Sequence, residues 1–338
     1  MKLNRKVKGT AMKPNLTMKH LFAVMLAPWI LNAALAVENA PIQHKFLVND
    51  YWTGKIHYVN QSDLSQSWSE PWGGKSADLQ LIGNNRLLVS KSDGWAVYDL
   101  TTRAKVDEVK LTGIVGISTV RRLPDGRTFV GVTEKIDGKE AVAVVELDAA
   151  NHVIRKTTFP QFHTLHFMRR TPQDAWLLSV FRSAVEVSLA AGLADDKRVL
   201  HEYKLPRGAK AHMAVRKPDG NVLLAGGYAA ALFEYKPDGK RLREFVAKQP
   251  DGMRNRSYSA LQLLPNGHII EANWNGHGPK EYTPGWKLIE FDSEGKVVWH
   301  WNESPEKVGG INAVIVMDCL DLALLHDDVT GVLAPVKK

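Results

Sequence analysis

The sequence predicts an all-β chain folded as a six-bladed β-propeller with four antiparallel strands to a blade, and three observations carry that expectation. First, turn signals recur between short apolar runs: Gly83-Asn84-Asn85, Pro124-Asp125-Gly126, Pro172-Gln173-Asp174, Pro218-Asp219-Gly220 and Pro265-Asn266-Gly267. Residues of these types supply the backbone angles that a hairpin needs. Second, the residues six places before these turns are Ala77, Ser118, His166, His212 and Ser259, spaced by 41, 48, 46 and 47, and a sixth copy opens at Asn312, 53 further on. Short strands repeating at more than 40 residues are the pattern of propeller blades. Third, the N-terminal unit lacks an inner strand, while the C-terminal unit has little else.

The elements follow in order. The first unit has three runs, at 46–49, 56–60 and 65–70. The next units place second and third strands at 86–90 and 96–100, 128–133 and 141–147, 175–181 and 184–189, 222–225 and 231–235, and 268–274 and 286–291. Fourth strands are clearest at 241–245 and 296–301. Residues 312–317 match 118–123 in apolar register, so they supply the inner strand that the first unit lacks. Pairing the last strand with the first blade closes the ring and leaves no open sheet edge at the seam. Residues 320–325 compete as another strand, which keeps seven blades as the second choice.

Composition limits the remaining classes. With 44% hydrophobic and 24% charged residues, the chain has apolar surface for a core and is neither disordered nor multiply membrane-spanning. Its formal net charge is +8, but six cations without an acid lie in residues 1–36, and removing them leaves +2. The basic balance is therefore a property of the leader, and nucleic acid is not an expected partner. Residues 21–35 are apolar but short and interrupted by Pro28 and Asn32, and they end at Ala34-Leu35-Ala36. That order reads as a signal peptide over residues 1–36, starting at Met1 or Met18, with cleavage before Val37. The expectation is a single propeller domain over 37–338, periplasmic or secreted, with no stable membrane span after cleavage. Cys319 is the only cysteine, so no internal disulfide or thiolate metal cluster can form.

Propeller ligands sit where the inner strands begin. There the repeat gathers Ser118, His166, His212, Ser259 and Asn312. Two imidazoles can act as nucleophile, general base or ligand, and the hydroxyls and amide can orient a bound molecule. Loops between second and third strands add Arg182, Tyr228, Trp274 and His277, and Arg256 precedes the Ser259 strand. Together they describe a basic, aromatic mouth for a small anionic or aromatic ligand. A metal set of His166, His212 and a carboxylate such as Glu134 is weaker, since no acid holds the repeat position, and no metal is assigned. The sequence leaves the cofactor unknown.

The segment Leu264-Pro265-Asn266-Gly267-His268-Ile269-Ile270, with Leu288-Ile289-Glu290-Phe291-Asp292 and Glu294-Gly295-Lys296-Val297-Val298-Trp299, resembles the blades of arylsulfotransferase-like and quinoprotein (PQQ)-like propellers. The resemblance is clearest over about 50 residues and reports strand and turn chemistry more than activity. It implies six blades, export and a channel histidine that accepts a sulfuryl group transiently. His166 and His212 are then the catalytic candidates, with Arg182 or Arg256 as the clamp. Ser257-Tyr258-Ser259 stands where that family commonly has histidine. A non-catalytic propeller for a protein or glycan partner remains the alternative, and a quinoprotein-like oxidoreductase or lactonase-like metal enzyme the third reading.

Overall fold

The described strands are short, three to nine residues each, and the sheets they build are sandwiched between neighbours on both faces. The computed structural model describes residues 41–75 and 78–336, of which all but the first belong to one compact unit, Ile42–Lys338. The expected signal peptide and its cleavage site, and the repeat position Ala77, lie outside the described residues.

Blade one pairs β1 (Lys45–Asp50), β2 (Lys55–Asn60) and β3 (Trp68–Glu70). Blade two is β4 (Leu79–Leu81), β5 (Arg86–Lys91), β6 (Gly94–Asp99) and β7 (Lys105–Lys110). Blade three is β8 (Ile117–Arg122), β9 (Thr128–Ile136), β10 (Lys139–Leu147) and β11 (Val153–Phe159). Blade four is β12 (Leu165–Arg170), β13 (Trp176–Val180), β14 (Ser183–Val187) and β15 (Val199–Lys204). Blade five is β16 (Ala214–Arg216), β17 (Val222–Ala225), β18 (Leu232–Tyr235) and β19 (Arg241–Phe245). Blade six is β20 (Tyr258–Leu263), β21 (Ile269–Asn273), β22 (Leu288–Phe291) and β23 (Val297–Trp301). Consecutive strands within each blade pair antiparallel.

The ring closes as the complementary ends require. β24 (Ile311–Val316) pairs antiparallel with β1, from Phe46 opposite Val316 to Asp50 opposite Ile311, and becomes the inner strand of blade one. The fold is thus a six-bladed propeller, and the seven-blade alternative is set aside. Residues 320–325 do not form a strand. They run as turns across the bottom of blade two, where Leu325 makes a single bridge with Ile82. The chain then forms a hairpin that the repeat did not announce, β25 (His326–Thr330) and β26 (Val332–Pro335), joined to blade six by one parallel pair, Leu263 with Val332.

Burial explains why the middle strands read as continuous apolar runs. Val222–Ala225 and Leu288–Phe291 are buried at every position, because each sheet packs on a neighbour on both faces. Trp95 and Trp176 fill the layers around blades two to four, each burying a large apolar area. The outermost strands face water, and β7 (KVDEVK) is exposed along almost its whole length. Among the described residues no helix is long and apolar enough to cross a membrane.

Candidate functional site

A cavity of about 340 Å³ opens where the inner strands begin. Ser118, His166, His212, Ser259 and Asn312 all line it, as do Tyr228, Trp274 and His277. The repeat position therefore does converge on one pocket, and the backbone shows how. In β8, β12, β20 and β24 the pairing register slips at this place, so that Ser118, His166, Ser259 and Asn312 each fall within a bulge. A bulge re-aims the side chain it carries, and here it does so in four blades. In blade five the strand begins two residues later, and His212 precedes it, donating its backbone N–H to Ala225 O at 3.0 Å.

His166 and His212 lie face to face, ring centroids 4.1 Å apart and planes 16° from parallel. Both rings are half-buried. Desolvation lowers the His166 pKa to about 4, with the Ala211 carbonyl acting against the shift and the Lys210 charge adding to it. His212 is held well below the usual histidine range, first by desolvation and then by His166 and Lys210. At neutral pH both imidazoles are uncharged. His166 Nδ1 lies 2.8 Å from Ala211 O, and since only a donor satisfies a carbonyl, the proton sits on Nδ1 and the Nε2 lone pair is left for chemistry. Room for His212 comes from Gly227, whose φ is +55°. A Cβ there would stand 2.7 Å from His212 Cδ2 and 2.5 Å from Lys210 O.

The polar members are partly committed. Ser259 Oγ lies 2.9 Å from the carbonyls of Ala272 and Ile311, bridging two blades, and Ser118 Oγ is 3.4 Å from Gly131 O. Asn312 accepts from Asn49 and donates to Lys75 O at 3.1 Å. The aromatic wall is built edge to face: Trp274 meets His277 at 4.5 Å, Tyr51 at 5.9 Å and Tyr228 at 6.0 Å. Gly309 and Gly310 let the Trp52 ring pack closely behind that wall, and its indole N–H donates to Gly276 O.

Two of the expected basic groups are not part of this lining. Arg182 lies over the Phe181 ring at 5.6 Å and borders a separate groove with His163. Arg256 is half-buried beside the mouth, its backbone N–H bonded to Asn273 Oδ1 at 2.8 Å. Glu134, the carboxylate considered for a metal, pairs with Lys156 at 2.5 Å and borders another groove. The cations that do line the cavity are Lys75 and Lys210, and the described lining contains no Asp or Glu. Lys210 sits two places before the repeat position, an offset that could have found it. Its ammonium is 5.1 Å from the rings of both Phe181 and Tyr228.

The opposite end of the channel is plugged. The C-terminal hairpin brings Asp327 and Asp328 against Arg121 and Arg169 from the inner strands, and Arg169 also grips Asp78 through both terminal nitrogens at 2.9 Å. All five side chains are buried. A propeller whose channel opens at one end only is the class that this fold and site define.

Comparison with known proteins agrees on the fold and goes no further. No family model matches the chain, and no curated protein matches it. A solved protein of unknown function from Bacteroides caccae is 22% identical, with a TM-score of 0.61 over 81% of this chain and 98% of that one. A streptogramin B lyase structure is 11% identical, with a TM-score of 0.50 over 78% of this chain and 85% of its own. A calcium-binding protein, regucalcin, from Agrobacterium tumefaciens is 12% identical, with a TM-score of 0.47 over 68% and 83%. At such identities the likeness is one of architecture.

Proposed function

We propose that the mouth binds a small anionic or aromatic molecule and passes a group from it through His166 or His212, in the manner of arylsulfotransferase-like propellers. The observation that carries this reading is the stacked, uncharged histidine pair in a cavity whose described lining holds two lysines and no carboxylate. A neutral imidazole with Nδ1–H held by a carbonyl presents its Nε2 lone pair to an electrophile. With an aryl sulfate, Nε2 attacks sulfur, the new N–S bond replaces the S–O bond to the ring, and the phenolate leaves with the electron pair. Ala211 O then supports the charge gained by the imidazole, and the lysines balance the sulfuryl oxygens.

The test is 4-nitrophenyl sulfate followed by intact mass under denaturing conditions and by phenolate absorbance. A sulfo-sized adduct that disappears in His166→Ala or His212→Ala is the expected result. An unmodified chain that releases no phenolate overturns group transfer. The non-catalytic alternative, a propeller for a protein or glycan, draws support from the Ser118 and Ser259 hydroxyls, which are spent on backbone carbonyls. Under it, both histidine variants keep partner binding.

Export to the periplasm or medium belongs to the same proposal and rests on the basic, apolar and small-residue order of residues 1–36. N-terminal sequencing of the mature protein should begin at Val37; a chain retaining its Met removes the claim.

A further inference from the structure

We propose that the mouth is built for a planar dianion, a molecule of the aromatic dicarboxylate kind with negative charge at both ends, held between Lys75 and Lys210. The inference rests on the reading of the mouth as an anion site and narrows it. Lys75 lies on the approach to β4, the inner strand of blade two, and Lys210 on the approach to the inner strand of blade five. Both line the same cavity, Lys75 with its carbonyl bonded to Asn312 of blade one and Lys210 against Phe181 and Tyr228 of blades four and five, so its two cations come from separate blades.

Neither ammonium has a carboxylate partner among the described residues. Lys210 lies against the aromatic faces of Phe181 and Tyr228, and no ion pair among the described residues involves Lys75. The other titratable groups that face the mouth do not compensate them. The histidine pair is uncharged, and the Glu281 carboxylate behind the wall is engaged by His277 at 2.7 Å. A monoanion therefore satisfies one end of the mouth and leaves the other cation facing the uncharged part of its ligand. A dianion satisfies both.

The space between the lysines suits a flat molecule. Trp274, Tyr51 and Tyr228 form one wall with their rings set edge to face, and the stacked His166 and His212 imidazoles line the same cavity. A volume of about 340 Å³ lies at the lower end of the range for ligand pockets, enough for one or two rings with a charged group at each end.

Isothermal titration with benzoate, terephthalate and the neutral terephthalamide separates charge from shape. Terephthalate should bind more tightly than benzoate by about tenfold or more, the gain expected of one further charge-assisted contact. Terephthalamide should be weaker than either acid. Lys75→Gln and Lys210→Gln should each remove the advantage of terephthalate, with unchanged circular dichroism and melting temperature showing that the fold is kept. If benzoate and terephthalate bind equally, or either substitution leaves their ratio intact, the two-ended site is overturned while the anion site stands. If terephthalamide binds as well as terephthalate, shape and not charge governs the mouth and the proposal falls. If none of the three binds, both the dianion and the anion site on which it rests are lost.

Discussion

Asp328 accepts a hydrogen bond from Arg169 Nε at 2.7 Å, although 159 residues separate them. That contact ties the C-terminal hairpin to the inner strand of blade four and shuts the far end of the channel. Arg169 simultaneously holds Asp78 at the start of blade two, and Arg121 holds Asp327 at 2.8 Å, so one buried network spans three inner strands and the plug. Burial pushes the Asp328 carboxyl up, and the two guanidiniums work against that shift. Removing one partner from such a network leaves uncompensated charge. Arg169→Met should destabilise the protein by about 3–5 kcal/mol in urea denaturation. Asp328→Asn keeps the shape and should cost less. A midpoint unchanged by Arg169→Met would show that the network carries no stability.

His44 predicts a pH dependence at the seam where the two ends of the chain meet. Its ring lies between Asp318 at 2.5 Å and Glu290 at 3.0 Å, the first just beyond β24 and the second on blade six. Burial acts against its charge, but bonds to Asp318 and Glu290 outweigh it and hold the pKa at about 9. A histidine raised in the folded state binds its proton more tightly there than in the unfolded chain. The stabilisation is complete below about pH 6.5 and is lost as pH rises through 9. Melting temperatures of the wild type and His44→Ala, taken from pH 6 to 10, should converge at the alkaline end. A constant gap between them contradicts the latch.

How far the sequence could be read depended on what a repeat encodes. The period located Ser118, His166, His212, Ser259 and Asn312 in one cavity because equal offsets in a ring of blades fall at equal heights. It also carried Arg121 and Arg169, each three places after the repeat position, whose meaning was hidden until the distant Asp327 and Asp328 came to meet them. The hairpin holding those acids lies outside the repeat, so no period points to it. The bulges that aim the mouth residues are a matter of pairing between strands, which a single strand's sequence does not record. Arg182 and Arg256 show the same limit in the loops. Their loops were expected at the rim, yet one packs on Phe181 and the other stands beside the wall.

Glu271 offers a test of the packing between blades. It lies on β21 with its side chain fully buried, on the same face as Leu261 and Ile289, its partners across the sheet. Neither carboxyl oxygen has a side-chain partner, and burial drives its pKa well above the usual range, opposed only by the backbone N–H of Ser259. A carboxyl with a raised folded-state pKa favours folding at acid pH, and that benefit disappears as pH rises from about 4.5 through the folded value. Glu271→Gln should flatten the dependence and raise stability near neutral pH. Glu271→Leu should do so as well, since it removes the buried polar group altogether. A lower urea midpoint for both variants at pH 8 would mean that Glu271 has a stabilising role which its surroundings do not display.

Gly227 separates the shape of the mouth from the stability of the ring. Its backbone exchanges two hydrogen bonds of 3.0 Å with Tyr258, joining blades five and six, and its φ of +55° disfavours any residue with a Cβ. Gly227→Ala should cost about 1–2 kcal/mol for the left-handed conformation alone. The added methyl also lies 2.5 Å from Lys210 O and 2.7 Å from His212 Cδ2, so the Lys210 backbone must give way and the His212 ring must shift, which disturbs its stack with His166. The expected outcome is a folded protein, with a melting temperature lowered by a few degrees, in which the His212 imidazole is less desolvated. Its titration, followed by proton NMR, should move up toward the ordinary histidine range. A variant with the wild-type His212 titration would show that the stack tolerates the methyl and that Gly227 serves the blade junction alone.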